Sequence, residues 1–194
     1  MIKNHDRSGW IGASDTEMVI GRWDTESFRQ WWAVKLGYTT NNFTNKAMLC
    51  GTHYEHNILR ALGVRKMDRQ IKIRRLRLRV NLDGETRHTI IEVKTAKNPP
   101  ITPPEKYVHQ VWVQEFAAGK TAEIATYRVT EEEYDNYFLP IDPDRLTLTP
   151  IPYNAEWINT VYLPRLRYLA KCMKKKIFPS EEEWRKDHQH DYTD

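Results

Sequence analysis

The stretch "VNLDGETRHTIIEVKT", residues 80–95, decides how the rest of the chain is read. Two β-rich runs flank Asp83-Gly84, a pair that favours a turn, and residues 88–96 form the second run. Side chains alternate along a strand, so Glu92 and Lys94 share one face. Asp83 enters that face from the end of the neighbouring strand. Two carboxylates suit a hard divalent cation, Mg²⁺ or Mn²⁺, which keeps waters and takes phosphate oxygens. A lysine beside such an ion can hold a water and offset charge on a phosphate under attack. The backbone carbonyl of Val93, between the two side chains, is a further candidate ligand. A plain hairpin whose Glu92 and Lys94 face water fits the same pattern.

A second acid comes from upstream. Residues 44–63 read as a helix, with Gly63 just past its end. Met48, Gly51, Ile58, Leu59 and Leu62 define an apolar stripe, and Glu55 falls in its middle, seven residues from both Met48 and Leu62. A carboxylate directed at a core is costly unless it is paired or binds metal. Glu55 is therefore a candidate third acid of the metal site, with a buried ion pair to an arginine as the alternative.

The remaining elements follow from periodicity and punctuation. Residues 12–21 read as a short helix with Ser14 as N-cap and Glu17 completing a capping box. Residues 25–37 form a second helix, stopped by Gly37. In residues 71–80 the apolar alternation changes parity at Arg74-Arg75, as at a bulge or strand break. "NPPITPPE" is a loop whose last proline opens a helix over 104–119. A strand over 122–129 and a helix over 130–138 follow, then a long helix over 154–176 that Pro164 should kink or split. The order predicts an α/β or α+β single domain over 1–194, with a central mixed β-sheet flanked by helices. Its core covers about 7–140, and a helical extension covers about 150–194.

Composition limits the function classes. A chain of 194 residues with 40% hydrophobic and 29% charged residues is long enough to bury a core. No apolar run approaches the ~20 residues of a membrane span, and the polar "MIKNHDRSGW" lacks the apolar centre of a signal peptide. Cys50 and Cys172 form no disulfide framework, so a reducing cytoplasm is the expected compartment. The net charge is +4, but "RALGVRKMDRQIKIRRLRLR" (60–79) and "KCMKKK" (171–176) concentrate the bases. Such segments suit a polyanion, and equally a solvated face. No Gly-rich phosphate loop points to ATP, and no G-x-S-x-G points to acyl transfer. His53 and His56 lack the partners of a zinc site and read as surface residues or supports. Trp31 and Trp32 read as core.

In order along the chain, "RSGWIGASD" (7–15), "GTHYEHNIL" (51–59), "NLDGETRHTIIEVKT" (81–95) and "YVHQVWVQEFAAG" (107–119) resemble the PD-(D/E)xK nucleases, in particular the phage lambda exonuclease or YqaJ-like viral recombinase family. Leu82 stands where that family often has proline, and the chain after about 140 carries no resemblance. The resemblance implies a restriction-endonuclease-like core, with Asp83 and Glu92 as metal ligands, Glu55 as the helical acid and Lys94 as the catalytic lysine. Arg7, Ser14 and Gln110 fall where the family receives the 5′-phosphate of a DNA end. A helix N-terminus at Ser14 would favour an anion on physical grounds alone. The activity implied is a Mg²⁺-dependent 5′→3′ exonuclease on double-stranded DNA, serving phage-type recombination with a single-strand annealing protein and assembled as a ring, typically a trimer. An endonuclease on the same core and a non-catalytic DNA-binding protein that keeps the fold are the alternatives.

Overall fold

The structure is a computed structural model that describes residues 7–40 and 44–188. Its centre is a five-stranded mixed sheet in the order β1 (Lys66–Ile73), β2 (Leu78–Glu85), β3 (Thr89–Ala96), β4 (Thr121–Arg128), β5 (Leu146–Ile151). Only β3 and β4 run parallel. A parallel pair needs a crossover, and the helix over Glu105–Ala118 supplies it.

The helices preceding it are α1 (Thr16–Ile20), α2 (Glu26–Leu36) and α3 (Lys46–Ala61), so the crossover helix is α4. Thr25 caps α2 by accepting from Phe28 N–H, and Gly37 ends it at φ 76°, where a side chain would be strained. Asn45 caps α3 in the same way through Met48 N–H. After β4 come α5 (Glu131–Asp135), α6 (Ala155–Trp157), α7 (Leu163–Lys175) and α8 (Glu181–His188). Between α6 and α7 the chain opens into a π-turn over Ile158–Tyr162. Pro164 has no N–H to offer the preceding turn, and the wider winding accommodates that loss.

Hydrophobic burial divides by sheet face. One cluster joins Leu78, Val80, Leu82, Ile90 and Ile124 to Phe28, Trp32, Val111, Tyr162 and Leu166. The other joins Ile91, Val93, Ala125 and Tyr127 to Cys50, Tyr54, Ile58 and Leu59 of α3. Trp32 is core as expected. Among the described residues no helix is long and apolar enough to cross a membrane.

Several expectations are corrected. Asp83-Gly84 is not a turn: β2 runs through it, and the chain reverses at residues 86–88, where Thr86 N–H donates to Thr89 O (2.8 Å) and Thr86 Oγ1 accepts from Thr89 N–H (3.0 Å). Gly84 serves packing instead, because a Cβ there would stand 2.5 Å from Leu59 Cδ2. The parity change at Arg74-Arg75 is a reversal, made by a 3-10 turn over Arg74–Leu76 with Arg77 at φ 52°. It folds β1 back on β2 with Ile73 opposite Leu78. Ser14 is not an N-cap. Residues Ala13–Asp15 form a 3-10 turn, and Asp15 Oδ2 accepts from Gly12 N–H at 2.6 Å. Glu17 leaves that cap for His109 Nδ1, 2.8 Å away. The buried face of α3 is Cys50, Tyr54, Ile58 and Leu59, whereas Met48 is 51% exposed. Glu55 therefore sits at the margin of the apolar face rather than in its middle. Strand β5 has no counterpart in the sequence reading; helix α8 lies within the expected helical extension, whose residues 189–194 lie outside the described residues.

Candidate active site

The site is built where two strands part. β2 and β3 pair only at Gly84–Ile91 and Glu85–Ile90. Residue Ile11 enters the gap beyond, donating to Arg77 O and accepting from Arg79 N–H, both at 2.8 Å. Separation frees the edge of β3, and Val93 N–H, which has lost its ladder partner, donates to Asp83 Oδ2 at 2.8 Å. The N–H and C=O of one strand residue project to the same edge, so the Val93 carbonyl also belongs to the side that Asp83 faces.

A cavity of about 360 Å³ occupies this wedge, and Arg7, Ser14, Glu55, Asp83, Glu92, Lys94 and Gln110 all line it. Seven side chains chosen from four separate stretches of sequence thus meet in one space. Acids and Lys94 hold one part, and Arg7, Ser14, Lys35 and Arg79 complete the wall.

Glu92 is 4% exposed and fully engaged. Its Oε1 accepts from Lys94 Nζ at 2.5 Å and from Gln110 Nε2; its Oε2 accepts from Gln114 Nε2 at 2.5 Å. Gln110 Oε1 in turn accepts from Lys94 Nζ at 3.3 Å, and the ammonium lies 4.7 Å from the centre of the Tyr107 ring. Gln110 therefore stands against both Glu92 and Lys94.

Burial pushes the Asp83 carboxyl well above its ordinary range, and the Glu92 and Glu55 carboxylates add to the shift against Val93 N–H and Lys94. Burial raises Glu55 too, opposed by His56. Burial weighs most on the Lys94 ammonium, but Glu92, Asp83 and Tyr107 together outweigh it and the lysine is held above its usual value. Three acids thus share one ammonium in a wedge where Glu92 is buried and Glu55, Asp83 and Lys94 are part-exposed. Such a site favours an added cation.

No protein-family model matches the chain, and no curated protein matches its sequence. Solved structures do match its backbone. An alkaline exonuclease from Laribacter hongkongensis superposes with a TM-score of 0.64 at 18% identity, covering 95% of this chain and 96% of that one. A phage-related exonuclease from Haemophilus somnus 129PT gives 0.55 at 13% identity, covering 86% and 96%. The chain has the fold of these exonucleases. The exonuclease fold extends over the region after about 140, where the sequence carried no resemblance.

Within this exonuclease fold the structure adds residues that sequence reasoning missed. Gln114 follows Gln110 by one helical turn, and that i, i+4 spacing in "YVHQVWVQEF" was the available signal. Asp15 is buried, accepting from Lys35 Nζ at 2.6 Å and Trp31 Nε1 at 2.9 Å. It anchors the 11–15 segment that fills the gap between the strands. Asp68 stands across from Asp83, because Met67 pairs with Gly84 and Arg69 with Leu82. Its carboxylate is 3.1 Å from His56 Nε2, and Glu55, His56 and Asp68 bring ligand atoms within 4.8 Å of one another. Asp68 adopts φ 59°, a left-handed conformation that aspartate tolerates better than most residues.

Proposed function

We propose that the chain is a divalent-metal-dependent deoxyribonuclease acting 5′→3′ on the ends of double-stranded DNA. One observation carries the reading: a single cavity gathers Glu55, Asp83, Glu92 and Lys94 together with Arg7, Ser14 and Gln110. The biological setting proposed with it is phage-type recombination in a bacterial cytoplasm. There the protein would work as a ring, by family likeness a trimer, beside a single-strand annealing protein.

The donor set fits Mg²⁺ or Mn²⁺. Asp83, Glu92 and the Val93 carbonyl offer hard oxygens, Glu55 can reach through a water, and the charge shared with Lys94 leaves room for a cation. When bound, the ion would polarise the phosphodiester and ease deprotonation of an attacking water. The chain's own groups do the rest. Gln110 and Gln114 hold Glu92 in one orientation, and Val93 N–H holds Asp83. Lys94, kept as an ammonium, donates to a phosphate oxygen and offsets charge there. The water oxygen bonds to phosphorus in line with the departing 3′-oxygen, which leaves the phosphate on the new 5′ end. A terminal phosphate carries more charge than an internal diester, so Arg7 as a bidentate partner and Ser14 as a hydroxyl donor would hold an end better than a mid-duplex position.

Linear and covalently closed circular duplexes, incubated with the protein and Mg²⁺, test this. The linear form should be degraded and the circle spared, with 5′-phosphorylated ends preferred over 5′-hydroxyl ends. Arg7→Ala should erase that preference. Comparable cutting of the circle would make the protein an endonuclease, and no metal-dependent cleavage of either form would end the nuclease reading.

A further inference from the structure

We propose that a basic groove between the turn over Arg74–Leu76 and helix α7 holds the sugar-phosphate backbone of the duplex away from the cut. The proposal rests on the nuclease reading of the cavity and adds the path by which the duplex reaches it. The groove measures about 380 Å³, and Arg75, Arg167, Lys171 and Lys174 line it. Among the described residues no acidic side chain does.

Arg69, Lys97, Lys120, Arg145 and Lys186 each hold a carboxylate. Among the described residues none of the four groove cations forms an ion pair. Arg167, Lys171 and Lys174 recur at helical spacing on the exposed face of α7, whose other face buries Leu166, Leu169, Cys172 and Met173. Like charges a turn apart oppose helix formation. The helix dipole accounts for Lys174 in the last turn but not for Arg167 near the start. A run of unpaired cations of one sign fits a repeating anion.

Charge continues from the groove to the cavity. Lys72 pairs in register with Arg79, and its ammonium lies 5.5 Å from the centre of the Trp10 ring. Both Trp10 and Arg79 line the cavity. From Leu78, beside the groove, to Asp83 the strand covers roughly 17 Å, the length of about five base pairs. A duplex cut at Asp83 would therefore reach the groove only if it extends beyond that length. An acidic protein would have no reason to follow this line into the cavity.

The test uses Arg167→Ala/Lys171→Ala/Lys174→Ala in the full chain. All three side chains are exposed, so the fold should survive, and Arg167→Glu/Lys171→Glu/Lys174→Glu gives a stronger version of the same change. Binding to a duplex of about 30 base pairs in EDTA should lose roughly 2–3 units of slope in log affinity against log salt. Cleavage of that duplex should weaken, while a hairpin with a stem of about 5 base pairs, too short to reach the groove, should be cut at the wild-type rate. An unchanged slope with cleavage intact would overturn the groove and leave the nuclease reading standing. Equal loss on both lengths would also overturn it, since the effect would then lie in the cavity. If the wild type cuts no DNA yet shows the steeper slope, the groove stands and the nuclease reading falls. Lost binding of poly-glutamate with DNA binding unchanged would assign the patch to an acidic protein and overturn the proposal.

Discussion

Gln114→Met removes the donor that holds the inner oxygen of Glu92 while nearly conserving volume. Gln114 is 2% exposed, and its Nε2 donates to Glu92 Oε2 at 2.5 Å and to Asn81 O at 3.4 Å. A hydrogen bond to a charged group contributes about 1.5–3 kcal/mol, and a near-isosteric core exchange costs under about 1.5 kcal/mol. Loss of a group that orients a metal ligand typically lowers metal affinity or activity about 10–100-fold. That range equals about 1.4–2.7 kcal/mol, close to the value of the bond itself. The assay is nucleotide release from a linear duplex over a Mg²⁺ titration, paired with urea unfolding in EDTA. The Mg²⁺ midpoint should rise about 10–100-fold, with part of the rate recovered at saturation. An unchanged Mg²⁺ midpoint with lowered unfolding stability would make Gln114 an ordinary core hydrogen bond and refute the reasoning.

Asp83→Asn should abolish cleavage and raise the melting temperature of the metal-free protein at neutral pH. A carboxyl whose folded pKa is raised loses stability as pH climbs above its unfolded value, and the amide, read by thermal melts across pH, removes that loss. Lys94→Arg should remain orders of magnitude slower than wild type, because a planar guanidinium does not reproduce a compact ammonium between Glu92 and Gln110; full activity would reduce the lysine to a generic charge. Burial works against the Glu133 carboxylate, yet Arg145, Tyr127 and Thr130 N–H together bring it down to about 2. A depressed carboxyl contributes stability above its unfolded pKa and loses it as pH falls toward the folded one, here about 3 kcal/mol between roughly pH 4.5 and 2. Glu133→Gln should flatten that acid limb of the unfolding curve, and an unchanged limb would contradict the assignment.

The residues that meet in the candidate site were legible because they lie on strong local patterns. Glu92 and Lys94 are two apart on a β-branched run, and Asp83 ends the apolar alternation of the strand before it. What stayed hidden depends on chain crossings. Nothing local in residues 80–86 says that β2 and β3 part after two pairs, or that Ile11 fills the gap. Asp83-Gly84 carries a strong turn signature, yet the close approach of Leu59 asks for glycine there in a strand. Ser14 looks like a cap, but the side-chain bond at this turn runs from Gly12 N–H to Asp15, which Lys35 and Trp31 hold in place from α2. Asp68 hides among bases, and only the hairpin register sets it opposite Asp83. Strand β5 contains Pro150, which speaks against a strand in sequence and is tolerated at a sheet edge.

The central claim is that Asp83 and Glu92 support metal-dependent hydrolysis of DNA. The direct measurement is a time course of acid-soluble nucleotide released from a 5′-phosphorylated linear duplex, with Mg²⁺ or with EDTA, for the wild type and for Glu92→Gln. The account predicts release by the wild type with Mg²⁺ only, and none by Glu92→Gln even though that variant still binds the duplex. Release in EDTA, or a near-normal rate from Glu92→Gln, would contradict it.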